Sequence, residues 1–359
     1  MSSPTRPSLS ARRLDRGLTL VPAIGIILAS VIGTGVFMKA RVMVANVGTP
    51  WLVLGAWLAG GALTLAGSLV FGELSAMTPR SGGPFNFIGA AYGRRWAFMF
   101  AWSRGIVYGA SVAAVAILTV TFLNDALGAT LSPFQLKLFP ILVIATGTVL
   151  NLISVRATGG VATAMTGIKV SILLAIAIGA FWLSDGSFAH FRMSGAAGAA
   201  HGVPESARLG LSGFGAAMAG ALWGYNGWAI IATLGGEVRE PGQVLPKAMF
   251  LSTLLVIGLY ILINTSYFFA LTPFEIADLP EHTSVAGATI QRFAGSGAAS
   301  LLAVGLVISA YGTMHVSLLV GSRIPFAMSR QGLAPASFGK LNSKSVPAVS
   351  VIAVAVWAS

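Results

Sequence analysis

The chain contains no cysteine, which excludes a disulfide framework and any thiolate metal site. Charge is almost as scarce. Asp, Glu, Lys and Arg together make up 9% of the residues, against roughly 25% in an ordinary soluble domain. Carboxylates are the scarcer sign, 10 against 22 basic side chains, and the long apolar stretches hold almost none. Without an acidic member in those stretches, no Ser/His/Asp constellation of an intramembrane hydrolase can be assembled. A glycine-rich phosphate loop ending in lysine is missing, which argues against an ATP-driven pump. No cluster with metal-ligand spacing appears, so neither a metal nor another cofactor is expected. The formal charge of +12 does not point to nucleic acid, because the basic residues are scattered between apolar runs instead of gathered on a polar domain.

What is present is apolar length. Hydrophobic residues make up 55% of the chain, more than a soluble core of this size can hide. In lipid, only helices and closed barrels satisfy their backbone. The unbroken runs, each near the ~20 residues needed to cross a bilayer, predict an all-α integral membrane protein. Eight complete spans fall near 18–45, 51–77, 94–123, 138–155, 163–184, 212–235, 248–271 and 299–322. A further apolar stretch of 12 residues runs from Ala348 to Ser359. It is too short to cross, which leads to the expectation of a fragment or a truncated product, with a short re-entrant or interfacial tail as the alternative. Fourteen basic residues fall in loops on one side of this map and six on the other, with Arg104 and Lys169 inside spans. The alternation fits the positive-inside rule. It predicts a multi-pass protein of the cytoplasmic (inner) membrane with a cytoplasmic tail over 1–17.

Two spans are interrupted by glycine in unusual company. The first carries Ile32-Gly33-Thr34-Gly35 at mid-depth. A break there would free backbone N–H groups at the start of a second half-helix, and those groups with the positive end of its dipole suit a carboxylate. The sixth carries Trp223-Gly224-Tyr225-Asn226-Gly227-Trp228, where a break would expose carbonyls to an ammonium and aromatic rings could close over a substrate. The alternative for both is a small-residue packing face. Spans one and six occupy corresponding positions in a five-plus-five inverted repeat, and paired interruptions of that kind point to a transporter binding site.

At this point the motifs resemble a family. Val31–Phe37, VIGTGVF, is similar to the "IGxGIF" signature of the amino acid–polyamine–organocation superfamily. Gly72-Glu73-Leu74 through Pro79-Arg80-Ser81-Gly82-Gly83 resembles its second-helix signature. Leu222–Trp228, followed by Gly236-Glu237-Val238-Arg239-Glu240-Pro241 and Leu245-Pro246, resembles the sixth-helix signature. Gly321-Ser322-Arg323 through Met328-Ser329-Arg330-Gln331-Gly332 and Pro335 resembles the segment after helix eight. Four motifs in order over essentially the whole chain are specific, and they look closest to L-type-like and cationic-type bacterial amino acid permeases.

The resemblance implies an inverted-repeat transporter with discontinuous helices one and six, cut short in helix nine. The first repeat would cover 18–184, a loop 185–211, and an incomplete second repeat 212–359. It implies that Ile32, Gly33, Thr34 and Gly35 meet the substrate carboxylate. Trp223, Gly224, Tyr225, Asn226 and Gly227 would meet its amine and side chain, with Trp223 as a lid. Glu73 would be a structural or gating residue at the cytoplasmic end of helix two. Lys169, in a position where sodium-independent members carry lysine, would replace a sodium ion between helices one and eight; a snorkelling lysine is the alternative. Arg104 requires a cavity or a partner that the sequence does not name. His315 and Tyr311 fit interhelical packing. The function expected is sodium-independent secondary transport of amino acids, by proton symport or exchange. A polyamine or organic-cation carrier and a non-transporting sensor or partner subunit are the alternatives. The partners expected are an amino acid and the lipid bilayer, with no nucleic acid; an oligomer or accessory subunit is left open.

Overall fold

A computed structural model describes residues 14–127, 131–196, 208–280, 283–295 and 297–359. Arg6, Arg12 and Arg13 of the expected tail, Glu205 in the expected 185–211 loop and Glu281 lie outside the described residues, as does the side chain of Asp125.

The chain folds almost entirely as helices. Span one is a bent pair, α1 (Leu20–Val31) and α2 (Gly35–Val47), which meet at 44°. There follow α3 (Pro50–Met77), a short α4 (Pro84–Tyr92), α5 (Arg94–Leu127), α6 (Pro133–Ile153) and α7 (Val155–Leu183). Span six is α8 (Gly210–Tyr225), which unwinds and continues only as a 3-10 turn over Ile230–Thr233. Then come α9 (Pro241–Ala270), the small helices α10 (Pro273–Ala277) and α11 (Val285–Ala294), α12 (Gly297–Arg330) and α13 (Ala348–Ala358). Six helices are long and apolar enough to cross a membrane, and the bent pair makes a seventh. Expected span six, α8 with its 3-10 turn, is not among these seven. Among the described residues there is no strand, only isolated bridges at Leu18–Val238 and Ser81–Leu234.

The helix starts are written locally. Thr49 caps α3 through its side chain and Pro50 opens the helix. Ser132 and Gln135 form a reciprocal capping box on α6, and Ser154 caps α7. Each cap satisfies N–H groups that a helix start leaves without partners. Ser154 is also the single extended residue between α6 and α7. Here the structure corrects the expected boundaries. Span five begins at Val155, not 163, because Gly159 stays helical and lets Leu18 lie against it; a Cβ on Gly159 would come within 2.8 Å of the Leu18 side chain. Lys169 therefore lies mid-helix and not near an end. Span eight likewise runs on to Arg330 through Pro325, and span seven starts at Pro241 through Pro246.

The interior forms where corresponding spans meet. Helix α3 packs on α9, α5 on α12 and α2 on α8, and α1 packs also on α7 of its own repeat. Large apolar side chains such as Leu211, Trp182 and Leu183 face outward, as expected of a multi-pass membrane protein whose solvent is lipid. At the end where α3 finishes and α5 begins, Leu18 pairs with Glu237 and Arg239 through backbone bonds. There Glu237 meets Arg323 of α12 in a two-point ion pair, at 2.7 and 3.0 Å. Both side chains are 1% exposed. Loops hold these two residues in the sequence map because an isolated charge inside a span is costly. The partner that makes the buried arginine tolerable stands 86 residues away and only the fold supplies it.

Candidate functional site

The two breaks touch each other. The backbone leaves α1 at Ile32 and re-enters a helix at Gly35. Span six leaves its helix at Asn226, and Gly227 takes a φ of +116°, a conformation open to glycine and strained for other residues. A Cβ on Gly227 would lie 2.5 Å from the Ser30 hydroxyl, and one on Gly35 would lie 2.8 Å from the Trp223 ring. Glycine at both positions is therefore what lets the breaks approach.

Most carbonyls freed in span one are taken up by the protein. Lys169, 1% exposed, donates from Nζ to Ala29 O and Ile32 O at 2.8 Å each, and to Thr313 Oγ1 at 3.3 Å. An ammonium has three donors, and here each has an acceptor at the carbonyl end of α1, where the helix dipole is negative. Ser309 donates to Ile32 O and Thr313 to Ala29 O. The buried Tyr260 hydroxyl lies 3.0 Å from both Val31 O and Gly224 O. With one proton it can serve one of them at a time, so it bridges the two breaks from α9. On the far half, Tyr267 donates to Val36 O and Ser284 to Phe37 O.

What stays open borders one cavity of about 290 Å³, near the lower end of ordinary small-molecule pockets. Its wall includes Ser30, Gly33, Thr34 and Gly35 from span one, Trp223, Gly224, Asn226 and Gly227 from span six, Arg104 and Tyr108 from α5, and Thr313 and Ser317 from α12. A Cβ on Gly33 would meet nothing, so that backbone faces free space. The first N–H groups of α2 lack intrahelical acceptors by geometry and border the same space. The carbonyl of Asn226 takes no backbone N–H among the described residues. The site thus offers donors on one break and an acceptor on the other.

Seven of the expected residues meet at this cavity: Gly33, Thr34, Gly35, Trp223, Gly224, Asn226 and Gly227. Ile32 and Tyr225 do not line it. The Ile32 side chain is buried and its carbonyl is held by Lys169 and Ser309. Tyr225 turns away, donating to Trp57 O at 3.0 Å and packing edge-on against the Trp57 ring. Trp223 keeps 53% of its surface exposed, with the Lys39 ammonium 4.4 Å from its ring centre. Glu73 is exposed on α3 and is not part of the wall. His315 is buried against Asn151 and stacked with Tyr311, away from the cavity.

The sequence reading missed Tyr260, Ser309 and Thr313. A signal existed. Tyr260, Asn264 and Tyr267 follow one another at i, i+4 and i+7, and Ser309, Thr313 and Ser317 at i, i+4 and i+8, so each set forms a polar stripe on one face of an apolar helix.

The family model described as amino acid permease matches residues 18–359. The serine/threonine exchanger SteT of Bacillus subtilis is 31% identical over 325 residues, covering 90% of this chain and 70% of SteT. The b(0,+)-type amino acid transporter 1 of Mus musculus is 30% identical over 274 residues, 75% of this chain and 54% of that protein. The large neutral amino acids transporter small subunit 2 of Homo sapiens is 26% identical over 344 residues, 92% and 61%. The chain therefore spans between about half and seven-tenths of the length of these relatives. Among solved structures, MhsT in complex with L-phenylalanine aligns with a TM-score of 0.62 at 12% identity, over 95% of this chain and 78% of that one. Mhp1, a nucleobase-cation-symport-1 family transporter, aligns with 0.61 at 13%, over 99% and 74%. At such identities the likeness speaks for the fold alone, that of an inverted-repeat transporter with discontinuous first and sixth helices.

Proposed function

The chain belongs to the amino acid permease family of the amino acid–polyamine–organocation superfamily, and from that premise we propose that it carries amino acids across a membrane by alternating access around the two helix breaks. The observation that carries this reading is the polarity of the cavity. Donors at the start of α2 and an acceptor carbonyl at Asn226 border one space, and an α-amino acid presents one carboxylate and one ammonium at fixed separation. The amides of Thr34 and Gly35 hold the carboxylate, joined by Gly33 once its N–H leaves Val31 O, to which it donates at 2.8 Å, and the backbone around Trp223, Gly224, Asn226 and Gly227 holds the amine. The Trp223 ring covers the substrate. In this reading Ile32 and Tyr225 act through backbone and packing, and Glu73 stays a structural residue near the end of α3.

Transport is proposed to be sodium-independent. The Lys169 ammonium already fills the space between α1, α7 and α12 with charge and donors, so a metal cation has no vacant ligands there. Proton symport and exchange both fit this arrangement. The expected membrane is the cytoplasmic one, with the N-terminus inside. A polyamine carrier is disfavoured because no carboxylate lines the cavity among the described residues. The test is uptake and counterflow of labelled amino acids by the purified protein in proteoliposomes, with and without sodium. Amino-acid-dependent flux at equal rates in both media is the expected result. Strict sodium dependence would overturn the lysine's role, and absence of amino acid binding as well as flux would overturn the substrate class.

A further inference from the structure

We infer that Arg104 reads the substrate side chain, and that the cavity selects amino acids carrying a second carboxylate over their neutral amides. The inference rests on the amino acid reading above and names the substrate class within it. Arg104 sits eleventh in α5 and borders both the main cavity and an adjoining space of about 180 Å³ that shares Tyr108, Asn226, Gly227 and Ile230 with it. Among the described residues it is the only charged one on either wall. No ion pair among the described residues involves it. Its bonding partner is the Tyr108 hydroxyl, 3.2 Å from Nη2, and its guanidinium stands 4.8 Å from the Tyr108 ring centre.

The cations buried in the membrane region among the described residues already have partners: Arg41 of α2 donates to Leu279 O. Lys169 spends its three donors on two carbonyls and a hydroxyl, and Arg323 forms its two-point pair with Glu237. Arg104 has five N–H donors and uses one on a neutral partner within the protein. A cation held in a span without a counter-charge is expensive and marks a functional site. A guanidinium fork fits a carboxylate in two-point geometry. The substrate's own α-carboxylate is drawn to the α2 amides of span one, so the group that completes Arg104 is a second anion, as in L-glutamate or L-aspartate. A neutral zwitterion leaves the arginine uncompensated, and a cationic side chain meets repulsion.

The test is equilibrium binding to the purified chain in detergent, with L-glutamate and L-aspartate against L-glutamine and L-asparagine. The proteins compared are the parent, Arg104→Gln and Arg104→Lys. The parent should prefer the acids, and Arg104→Gln should lose at least about 30-fold for the acids, the low end for removing one member of a desolvated charge pair. Its affinity for the amides should fall much less than for the acids, and an unfolding midpoint equal to that of the parent reports that the variant is folded. Arg104→Lys should keep the preference for acids at reduced strength. Equal binding of acids and amides by the parent would overturn the inference and leave amino acid transport standing. So would equal loss of both by Arg104→Gln, since that places the arginine on the α-carboxylate or in the scaffold. No binding of any of the four by the parent would overturn the inference, while the amino acid reading is judged separately by the flux of other labelled amino acids.

Discussion

The two helix breaks have similar glycine content but different surroundings. In span one, the carbonyls of Ala29, Val31 and Ile32 are met by Lys169, Thr313, Ser309 and Tyr260, and a full half-helix resumes at Gly35. The resumed half is clasped from outside by the segment that follows α9: α10 and α11 pack on it, and Ser284 bonds Phe37 O. In span six, the chain turns through Gly227 and resumes only as a 3-10 turn, with Tyr260 as the partner that reaches Gly224 O. The carbonyl side of break one is a saturated polar junction, with only the amides at the start of α2 left open, and break six is the looser of the two. The lesson is that an unwound helix inside a membrane is stable when other helices supply its missing partners. Where fewer are supplied, groups remain for a ligand. Break one should therefore answer to perturbation in stability, and break six in binding.

The largest effect is expected at Lys169. Lys169→Ala strips Ala29 O and Ile32 O of their ammonium donor, and each buried carbonyl left short costs about 1–3 kcal/mol. Relief of the ammonium's own desolvation offsets part of this, leaving a net loss of about 2 kcal/mol. Thermal unfolding in detergent should show a clear drop in midpoint, with transport abolished or uncoupled. Added sodium should restore part of the midpoint in Lys169→Ala and leave the parent unmoved. Lys169→Arg should not rescue fully, because a planar fork is a poor substitute for a compact ammonium. An unchanged midpoint in Lys169→Ala would erase the distinction drawn between the breaks.

Next comes Gly227. An alanine there must hold φ near +116° and push its Cβ toward the Ser30 hydroxyl, a strain of about 1–3 kcal/mol. Because break six has few bonds to lose, the backbone should relax by moving the turn away from span one. Gly227→Ala should therefore lose substrate binding while its unfolding midpoint stays near that of the parent. A large fall in midpoint with binding intact would reverse the assignment. Trp223→Ala should act in the same sense and more weakly. Its ring is half exposed and covers Gly35 without filling a core, so affinity for large amino acids should fall by about tenfold with folding spared. Unchanged affinity would remove the ring from the site.

The smallest effect probes the outer clasp of break one. Burial pushes the Glu275 carboxyl upward, but the backbone and hydroxyl of Thr272 and the Arg292 guanidinium outweigh it and hold it below its ordinary value of 4.5. A carboxyl lowered by folding contributes stability above its unfolded value and loses it as pH falls through the folded one. The pair is nearly half exposed, where ion pairs contribute little. Between neutral pH and pH values below 4.5, the parent should lose slightly more midpoint than Glu275→Gln. Parallel profiles for the two proteins would show that this clasp adds nothing to break one.

Hydropathy found the apolar helices and the mid-span glycines marked both breaks, because 20-residue apolar runs and glycine clusters are local properties of the chain, but several span ends were set by packing. It placed Lys169 near a helix end, since Gly159-Gly160 reads as a loop when nothing is known to pack on it. It placed Tyr225 with the cavity residues, although neighbouring side chains on one turn point in different directions and the unwinding at Asn226 decides which of them face inward. Arg104 carried the opposite problem. Its cost inside a span was plain, but a cavity is a property of several helices at once.

The sequence by itself determined an all-helical membrane protein, most of its spans and the positions where two of them break. Those features follow from the free energy of moving short segments from water to lipid, which depends on composition and little else. The tertiary structure decided which groups are left without partners. It joined Glu237 to Arg323 across 86 positions, brought Tyr260 to both breaks, saturated Lys169 and left Arg104 facing the cavity. A hydrogen bond or ion pair is a short-range interaction between groups distant in the chain. Whether a buried polar group is satisfied is settled only when the helices have packed.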